Sequence, residues 1–269
     1  AAAAHKQSKE RRAVAKVGVR KLGMCFDTPL GKGVHQDLLR ALSPEQIAGR
    51  RKLMYPEQPE QQISHESIYR AIYVMPRGEL RTQIISALRQ SRQKRMPRAR
   101  GVARKSNIAN LVPLSQRPAE ADSREVPGHW EGDFIKGARN ASAIGTAVER
   151  TSRFVLLTQM YGCTAAHGLE GFTRRFNGVI PELRKTFTYD RGSEMARHQE
   201  LTAATGIKVY FCDPHSPWQR GSNENMNGLV RQFLPKGMDL STVTPQALAY
   251  IESALNDRPR KVLGFRTPR

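Results

Sequence analysis

The stretch of chain after Pro127 constrains the fold most, because its apolar residues fall into short runs typical of strands with helices between them. Three strands in succession, followed by strands and helices in alternation, predict a mixed sheet flanked by helices. The predicted elements are strands at 129–135, 143–148 and 153–160, a helix at 165–177, a strand at 185–189, a helix near 193–204, a strand at 207–211 and a helix from about 222. The ribonuclease-H-like fold, an α/β architecture, has this order of elements.

Three acidic residues stand at marked positions in this order of elements. Asp133 lies in the first strand, Asp190 ends the fourth strand, and Glu224 begins the last helix after a gap of 33 residues from Asp190. Carboxylates gathered in one place repel each other unless a cation holds them, and oxygen-only ligands suit Mg²⁺ or Mn²⁺. The three acids together therefore predict metal-dependent phosphoryl transfer.

Each acid also has an ordinary structural explanation. Glu131 and Asp133 could be exposed residues of an edge strand, and Asp190 could belong to a turn held by Arg191. Glu224 could be a first-turn acid that the helix dipole favours. The element order and the basic charge of the chain favour the joint, catalytic interpretation.

Polar and basic residues surround the two later acids in the sequence, and we expect them to contact DNA or to orient Glu224. Arg220 and His215 suit a scissile phosphate, whereas the amides suit the DNA backbone or the Glu224 carboxylate. Trp218 could stack on an unpaired base or pack within its loop. The expected DNA contacts in this part of the chain are Arg191, His215, Arg220, Asn223 and Asn227.

The chain is strongly basic, with a formal net charge of +20. Residues 1–127 carry 25 Lys and Arg against 11 Asp and Glu. Such an excess favours a polyanion, since binding releases counterions, and double-stranded DNA is the first expectation. A membrane surface is the alternative, but the sequence has no basic amphipathic anchor and no apolar run of ~20 residues.

The three cysteines, Cys25, Cys163 and Cys212, match neither a disulfide framework nor a zinc spacing. Reduced thiols in a cytoplasmic protein are the simplest explanation, and no signal-peptide pattern opposes it.

The N-terminal part predicts short helices with marked starts. A helical stripe covers 34–42, Ser43 and Gln46 form a capping box for the next helix, and Ser64 caps a third. Such a set resembles a helix-turn-helix unit, whose second helix would enter the major groove. The residues expected to reach base edges are His65, Ser67 and Arg70. An ordinary helical bundle is the alternative, because the loop at 53–62 is longer than usual.

A basic segment, Arg89–Lys105, follows these helices and contains no acidic residue. It predicts a linker that lies along phosphates and adds affinity without sequence choice; a solvated, disordered connector is the alternative. The expected phosphate contacts are Arg92, Lys94, Arg95 and Arg98. The sequence thus predicts a helix-turn-helix region at 1–80, a basic linker at 81–127 and a catalytic core at 128–269.

Several motifs, in sequence order, resemble the transposases of the IS-thirty (IS30) family of bacterial insertion sequences. Residues 43–50 and 63–70 also resemble the helix-turn-helix region of that family. The motifs of the catalytic half are Gly128–Asp133, Ile144–Arg153, Thr188–Met195, Asp213–Asn227, Leu234–Gly237 and Arg258–Phe265.

The resemblance implies a DDE-type transposase with a retroviral-integrase-like catalytic core. The family's catalytic triad falls on Asp133, Asp190 and Glu224, which would hold two Mg²⁺ ions, with Mn²⁺ able to substitute. The enzyme would bind the terminal inverted repeats of an insertion sequence, cut DNA at the element ends and join the freed 3′-hydroxyl to target DNA. We expect a homodimer or higher homo-oligomer, in the bacterial cytoplasm and associated with the nucleoid.

Two other functions remain open at this point. One is a sequence-specific DNA-binding regulator whose catalytic-like half serves only for dimerisation. The other is a metal-dependent nuclease with the same fold but no strand transfer.

Overall fold

The chain divides into two compact units, one made of helices and one built around a mixed sheet. A computed structural model describes residues 21–23, 25–76, 78–87, 108–214 and 216–269. The helical unit contains the described residues up to 87 together with 258–267, and the sheet unit contains 108–257 and 268–269. No helix in these described ranges is long and apolar enough to span a bilayer. Several predicted DNA contacts lie outside the described residues, namely Arg92, Lys94, Arg95, Arg98 and His215.

Three consecutive helices of the helical unit, between Pro29 and Val74, each begin at a side-chain cap. Thr28, Ser43 and Ser64 each accept a hydrogen bond from a backbone N–H of the first turn, and Gln46 completes the predicted capping box at Ser43. The first helix begins earlier than its apolar stripe predicts, because Thr28 caps it and a proline occupies its first position. The helices are α1 (Pro29–Leu39), α2 (Pro44–Met54), α3 (His65–Val74) and α4 (Glu79–Ala87).

Helix α4 lies in the range that the sequence predicts as linker. Ile84 is fully buried and joins the core that Ile47, Ile68 and Ile72 form between the helices. The sequence assigned this short apolar pattern to the linker because a run of basic residues follows it. The helical unit therefore extends to α4.

The sheet unit contains five strands in the order β3-β2-β1-β4-β5. The first three strands are antiparallel, and β4 and β5 add in parallel to β1. This order and polarity confirm the predicted ribonuclease-H-like sheet. The strands are β1 (His129–Lys136), β2 (Ala143–Glu149), β3 (Val155–Met160), β4 (Thr186–Tyr189) and β5 (Lys208–Phe211).

Helices cover both faces of the sheet. Phe172 on one side packs with Trp130 and Phe134 of β1, and Leu229 on the other side packs with Ile135. Because side chains alternate along a strand, Glu131 and Asp133 point to the same face as Ile135. The remaining helices are α5 (Glu120–Ser123), α6 (Ala165–Asn177), α7 (His198–Thr205), α8 (Gly221–Val230) and α9 (Pro245–Asn256), of which α8 and α9 lie on the Asp133 face.

Residues between 108 and 127 pack against the sheet. The Phe211 N–H donates to the Val112 carbonyl at 2.9 Å, and the buried Arg117 donates to Thr188 Oγ1 at 2.8 Å. The predicted boundary at 127 was placed on a polar, proline-containing run, yet these contacts make the run part of the sheet unit. Conversely, Arg258–Thr267 belongs to the helical unit rather than to the catalytic core in which the sequence placed it.

Candidate active site

Asp133 lies in the central strand β1 and faces helix α8. Its Oδ1 accepts from the Phe134 N–H at 2.9 Å, and its Oδ2 accepts from Asn227 Nδ2 at 2.9 Å. Thr146, directly opposite on β2, donates to Asn227 Oδ1 at 3.0 Å. The carboxylate therefore has a defined orientation, set by one backbone group and one amide of α8.

Asp190 follows β4, the parallel neighbour of β1 in the sheet. Its Oδ1 accepts from the Gly192 N–H at 2.9 Å, which closes a tight turn after the strand. Strand pairing at Glu131 and Thr188 thus brings the end of β4 to the part of β1 that carries Asp133. The two aspartates lie at the same place in the sheet although 56 residues separate them in the chain.

Arg220 joins the two aspartates. Its Nη2 lies 2.9 Å from Asp190 Oδ2, and its Nη1 lies 3.6 Å from Asp133 Oδ1. Nη1 also donates to the Gly132 carbonyl at 2.6 Å, and the guanidinium lies 5.8 Å from the centre of the Tyr189 ring. The side chain is only 11% exposed, so a largely buried cation pairs with both carboxylates.

Burial raises the pKa of Asp133 above its ordinary value; Arg220 lowers it, and the nearby Asp190 raises it further. Ionised Asp133 is therefore unfavourable without a neighbouring positive charge. The site favours cations through this cost, because a cation that reaches both aspartates offsets the burial of one and the repulsion between them.

Glu224 lies in the first turn of α8 and is exposed. Arg220, at the N-cap of α8, and Asn227, in its second turn, both contact Asp133, and Glu224 lies between them in the chain. Within the described residues, the structure does not gather three His, Cys, Asp or Glu side chains closely enough to hold a metal ion. The three-carboxylate site therefore stays a prediction.

Several other predicted contact residues are exposed or half-buried. Arg191 is half-buried and donates to the Cys212 carbonyl at 3.1 Å. His65 is exposed at the start of α3, and Arg70 is half-buried one turn later. Trp218 is 72% exposed, which favours the stacking role over packing within the loop.

Ser67 and Asn223 differ from their prediction as DNA contacts, because both are buried. Ser67 is 1% exposed, and its hydroxyl pairs with that of Ser64 at 2.8 Å, since a residue in this position of the first turn faces the cap. Asn223 is fully buried, and its amide donates to the Glu131 carbonyl at 2.9 Å and to Thr146 Oγ1 at 3.1 Å. The Ser67 side chain stabilises the start of α3, whereas the Asn223 side chain joins α8 to strands β1 and β2.

Glu131 is the site residue that sequence reasoning missed. It is fully buried, its Oε2 accepts from the Asn223 N–H of α8 at 3.0 Å, and its Oε1 pairs with Arg150 at 2.9 Å. Burial lowers the pKa of Arg150, and Glu131 opposes this. The signal in the sequence was strand parity, because Glu131 must share the covered face with Asp133 and a buried carboxylate needs a partner.

Residues 123–217 match the family described as integrase core domain, a range that contains Asp133 and Asp190. The chain is 56% identical to the transposase for insertion sequence element IS1086 of Cupriavidus metallidurans, over 84% of the chain and 67% of that protein. It is 43% identical to transposase InsI for insertion sequence element IS30A of Escherichia coli (strain K12), over 90% of the chain and 63% of that protein. It is 37% identical to the transposase for insertion sequence element IS4351 of Bacteroides fragilis, over 86% and 69%. The chain thus spans about two thirds of the length of these curated relatives.

Proposed function

Because the chain belongs to the IS30 family of insertion-sequence transposases, we propose that it is a DDE-type transposase. It cuts DNA at the ends of an insertion sequence and joins the freed 3′-hydroxyl to another DNA strand. The observation that carries this proposal is the pair of aspartates, Asp133 and Asp190, which both pair with the largely buried guanidinium of Arg220 at the centre of the sheet.

The donor set of this site fits divalent metal ions. The guanidinium of Arg220 already pairs with both aspartates, which supports a place for positive charge between them, and Glu224 lies in the first turn of the helix that follows Arg220. Asp133, Asp190 and Glu224 would hold two Mg²⁺ ions, with Mn²⁺ able to substitute. Bound there, the ions supply charge stabilisation to the attacking and leaving oxygens of an in-line displacement.

The chain's own residues position the reacting strands. Asn227 and Thr146 fix the Asp133 carboxylate, and Arg220 is close enough to both aspartates to contact a scissile phosphate beside them. Trp218, exposed three residues before Gly221 begins α8, supplies a face on which an unpaired base can stack. A base that stacks on Trp218 would no longer pair, and the strand end beside it would become accessible for attack.

The helical unit would bind the terminal inverted repeats, with His65 and Arg70 of α3 directed to base edges. Joining two ends requires two binding units, so the active species would be a homodimer or a higher homo-oligomer. Target DNA is the second DNA partner, and association with the bacterial nucleoid follows from both.

Replacing Arg220 by Gln should increase the affinity of the DNA-free protein for Ca²⁺ or Mn²⁺. The guanidinium and a metal ion compete for Asp190 Oδ2, and the change removes the competing cation. Calorimetric titration of the two proteins measures the difference, for which we expect about tenfold, equivalent to about 1.4 kcal/mol. Arg191→Gln is the matched control, because Arg191 donates to a carbonyl of Cys212. Unchanged or weaker metal binding in Arg220→Gln would contradict competition.

Neutralising Arg92, Lys94, Arg95 and Arg98 together should weaken binding to every DNA sequence alike. The slope of the logarithm of the binding constant against the logarithm of the salt concentration should also become less steep, by up to ~0.9 for each phosphate of B-DNA that the variant no longer neutralises. Fluorescence anisotropy at several salt concentrations checks both effects. Changes at His65 or Arg70 serve as the contrast, since they should alter the preference between end sequences. A linker variant that loses specificity but keeps its salt slope would reverse the two assignments.

A strand-transfer assay with precut transposon-end DNA tests the proposed function as a whole. A transposase yields joined DNA, a nuclease of the same fold yields cuts only, and a DNA-binding regulator yields neither. Joined product that requires Mg²⁺ or Mn²⁺ supports the proposal. Binding without cutting or joining, at any metal concentration, overturns it.

A further inference from the structure

The segment Arg258–Thr267, here called the C-terminal segment, packs into the helical unit although it follows the last helix of the sheet unit in the chain. Its Phe265 ring lies directly over Gly49 of α2. A Cβ at position 49 would lie 2.3 Å from Cγ of this ring and 2.4 Å from both Cδ atoms. Glycine in the middle of a helix weakens it, and here the missing side chain makes room for the ring.

Polar contacts hold the same segment to the start of α2. Gln46, whose Oε1 completes the capping box at Ser43, donates through Nε2 to the Pro259 carbonyl at 2.8 Å. Lys261 pairs with Glu45 at 2.6 Å. Glu45 and Gln46 of α2 therefore bind the C-terminal segment through their side chains, and Gly49 leaves room for its Phe265 ring.

The segment has a defined conformation of its own. The Phe265 N–H donates to the Arg260 carbonyl and the Arg260 N–H to the Arg266 carbonyl, both at 2.9 Å, which closes a small loop. Gly264 and Phe265 have φ angles of +61° and +66°. A left-handed phenylalanine is strained and persists only where its surroundings hold it. The contact with Gly49 supplies such surroundings.

The segment also lines the part of the helical unit that is predicted to face DNA. Lys261 and Phe265 border a cavity of about 820 Å³ together with Lys52, Ser64 and His65. His65 is the exposed residue at the start of α3 that we expect at base edges. Lys52 of α2 and Lys261, which pairs with Glu45 of the same cavity in the DNA-free protein, flank this end of α3, where they would favour a phosphate backbone.

We propose that the C-terminal segment is a working part of the DNA-end-binding unit. It stabilises α2 through Phe265 and adds Lys261 to the surface that receives DNA. This inference rests on the proposed function of the helical unit, yet it makes a separate claim, because the residues concerned lie almost two hundred positions after α3.

Amide hydrogen exchange of α2 in the full chain tests the packing without DNA. Gly49→Ala should lower the protection of α2, because the new methyl group displaces the Phe265 ring. If the segment does not pack there, the same change should raise protection, since alanine favours helix over glycine. In a Phe265→Ala background, Gly49→Ala should raise protection, and this reversal of sign is the expected result. A rise in both backgrounds would overturn the packing.

Binding of the full chain to end DNA tests the functional half of the proposal. Phe265→Ala and Lys261→Gln should each weaken binding by about three- to tenfold, equivalent to about 0.7–1.4 kcal/mol. Val262→Ala is the matched control, because Val262 lies in the same segment and is 65% exposed. Unchanged binding in both variants, with the sign reversal present, would overturn the DNA-binding role and leave the transposase proposal intact. A wild-type chain that binds no end DNA would instead refute the proposed role of the helical unit, and the role of the segment with it.

Discussion

Asp133→Asn, Asp190→Asn and Glu224→Gln are each expected to abolish DNA cleavage and strand joining while binding to end DNA persists. Each substitution removes a charged oxygen ligand at nearly constant shape. Changes to groups that merely support metal ligands cost about 10–100-fold, so loss of a ligand should cost at least ~100-fold. Assays of cleavage and joining, run beside a binding assay on the same DNA, separate chemistry from recognition.

Glu170→Gln is the matched control for this series. Glu170 also belongs to the sheet unit, its side chain is 60% exposed, and its partner is Arg174 at 3.8 Å. This variant should cut and join like the wild type, because the removed charge lies in a solvated surface pair. Appreciable Mg²⁺-dependent cleavage by any of the three test variants would remove that residue from the catalytic set.

The elements of the sheet unit could be predicted because their signals are local. The helix at Ala165–Asn177 has the predicted bounds, and β1 extends only one residue beyond its predicted end at Ile135. Ser43 and Gln46 form the predicted capping box, since that motif depends on residues three positions apart. The predicted membership of the IS30 family is likewise confirmed.

Contacts between distant residues could not be predicted in the same way. Arg220 reaches Asp190, 30 positions earlier in the chain, only because β4 pairs with β1 and α8 crosses the same face. Ser67 was expected on the surface from its place in a recognition helix, but its distance from the cap turns it inward. Sequence patterns report which face of an element is apolar; they do not report which polar side chain finds a partner beneath it.

The position of the C-terminal segment is a second case of this kind. Arg258–Phe265 was expected in the catalytic core at 128–269, because it is the last of the motifs that resemble the catalytic half of the family. Its partners, Gln46 and Gly49, lie more than 200 positions earlier, and a glutamine or a glycine in a sequence does not by itself indicate such a contact. A glycine inside a predicted helix was the only local sign, and a helix tolerates such a glycine whether or not a ring packs over it.

Replacing Glu131 by Ala should destabilise the sheet unit by about 3–5 kcal/mol and slow catalysis further than the loss of folded protein explains. The change leaves the buried guanidinium of Arg150 without its carboxylate and the Asn223 N–H without its acceptor. Because Asn223 immediately precedes Glu224, the start of α8 would lack one of the hydrogen bonds that set its distance from β1. Denaturant unfolding measures the first effect.

Glu131→Gln and a double variant separate positioning from stability. The glutamine can still accept from Asn223, so it should retain more activity than alanine at equal folded fraction. Adding Arg150→Met to Glu131→Ala removes the unpaired charge and should recover much of the stability, but not the placement of α8. The expected kinetic signature is a lower kcat with little change in KM for DNA, because Glu131 is fully buried and cannot contact DNA. If the double variant recovers both stability and kcat, Glu131 serves only to neutralise Arg150, and its positioning role is wrong.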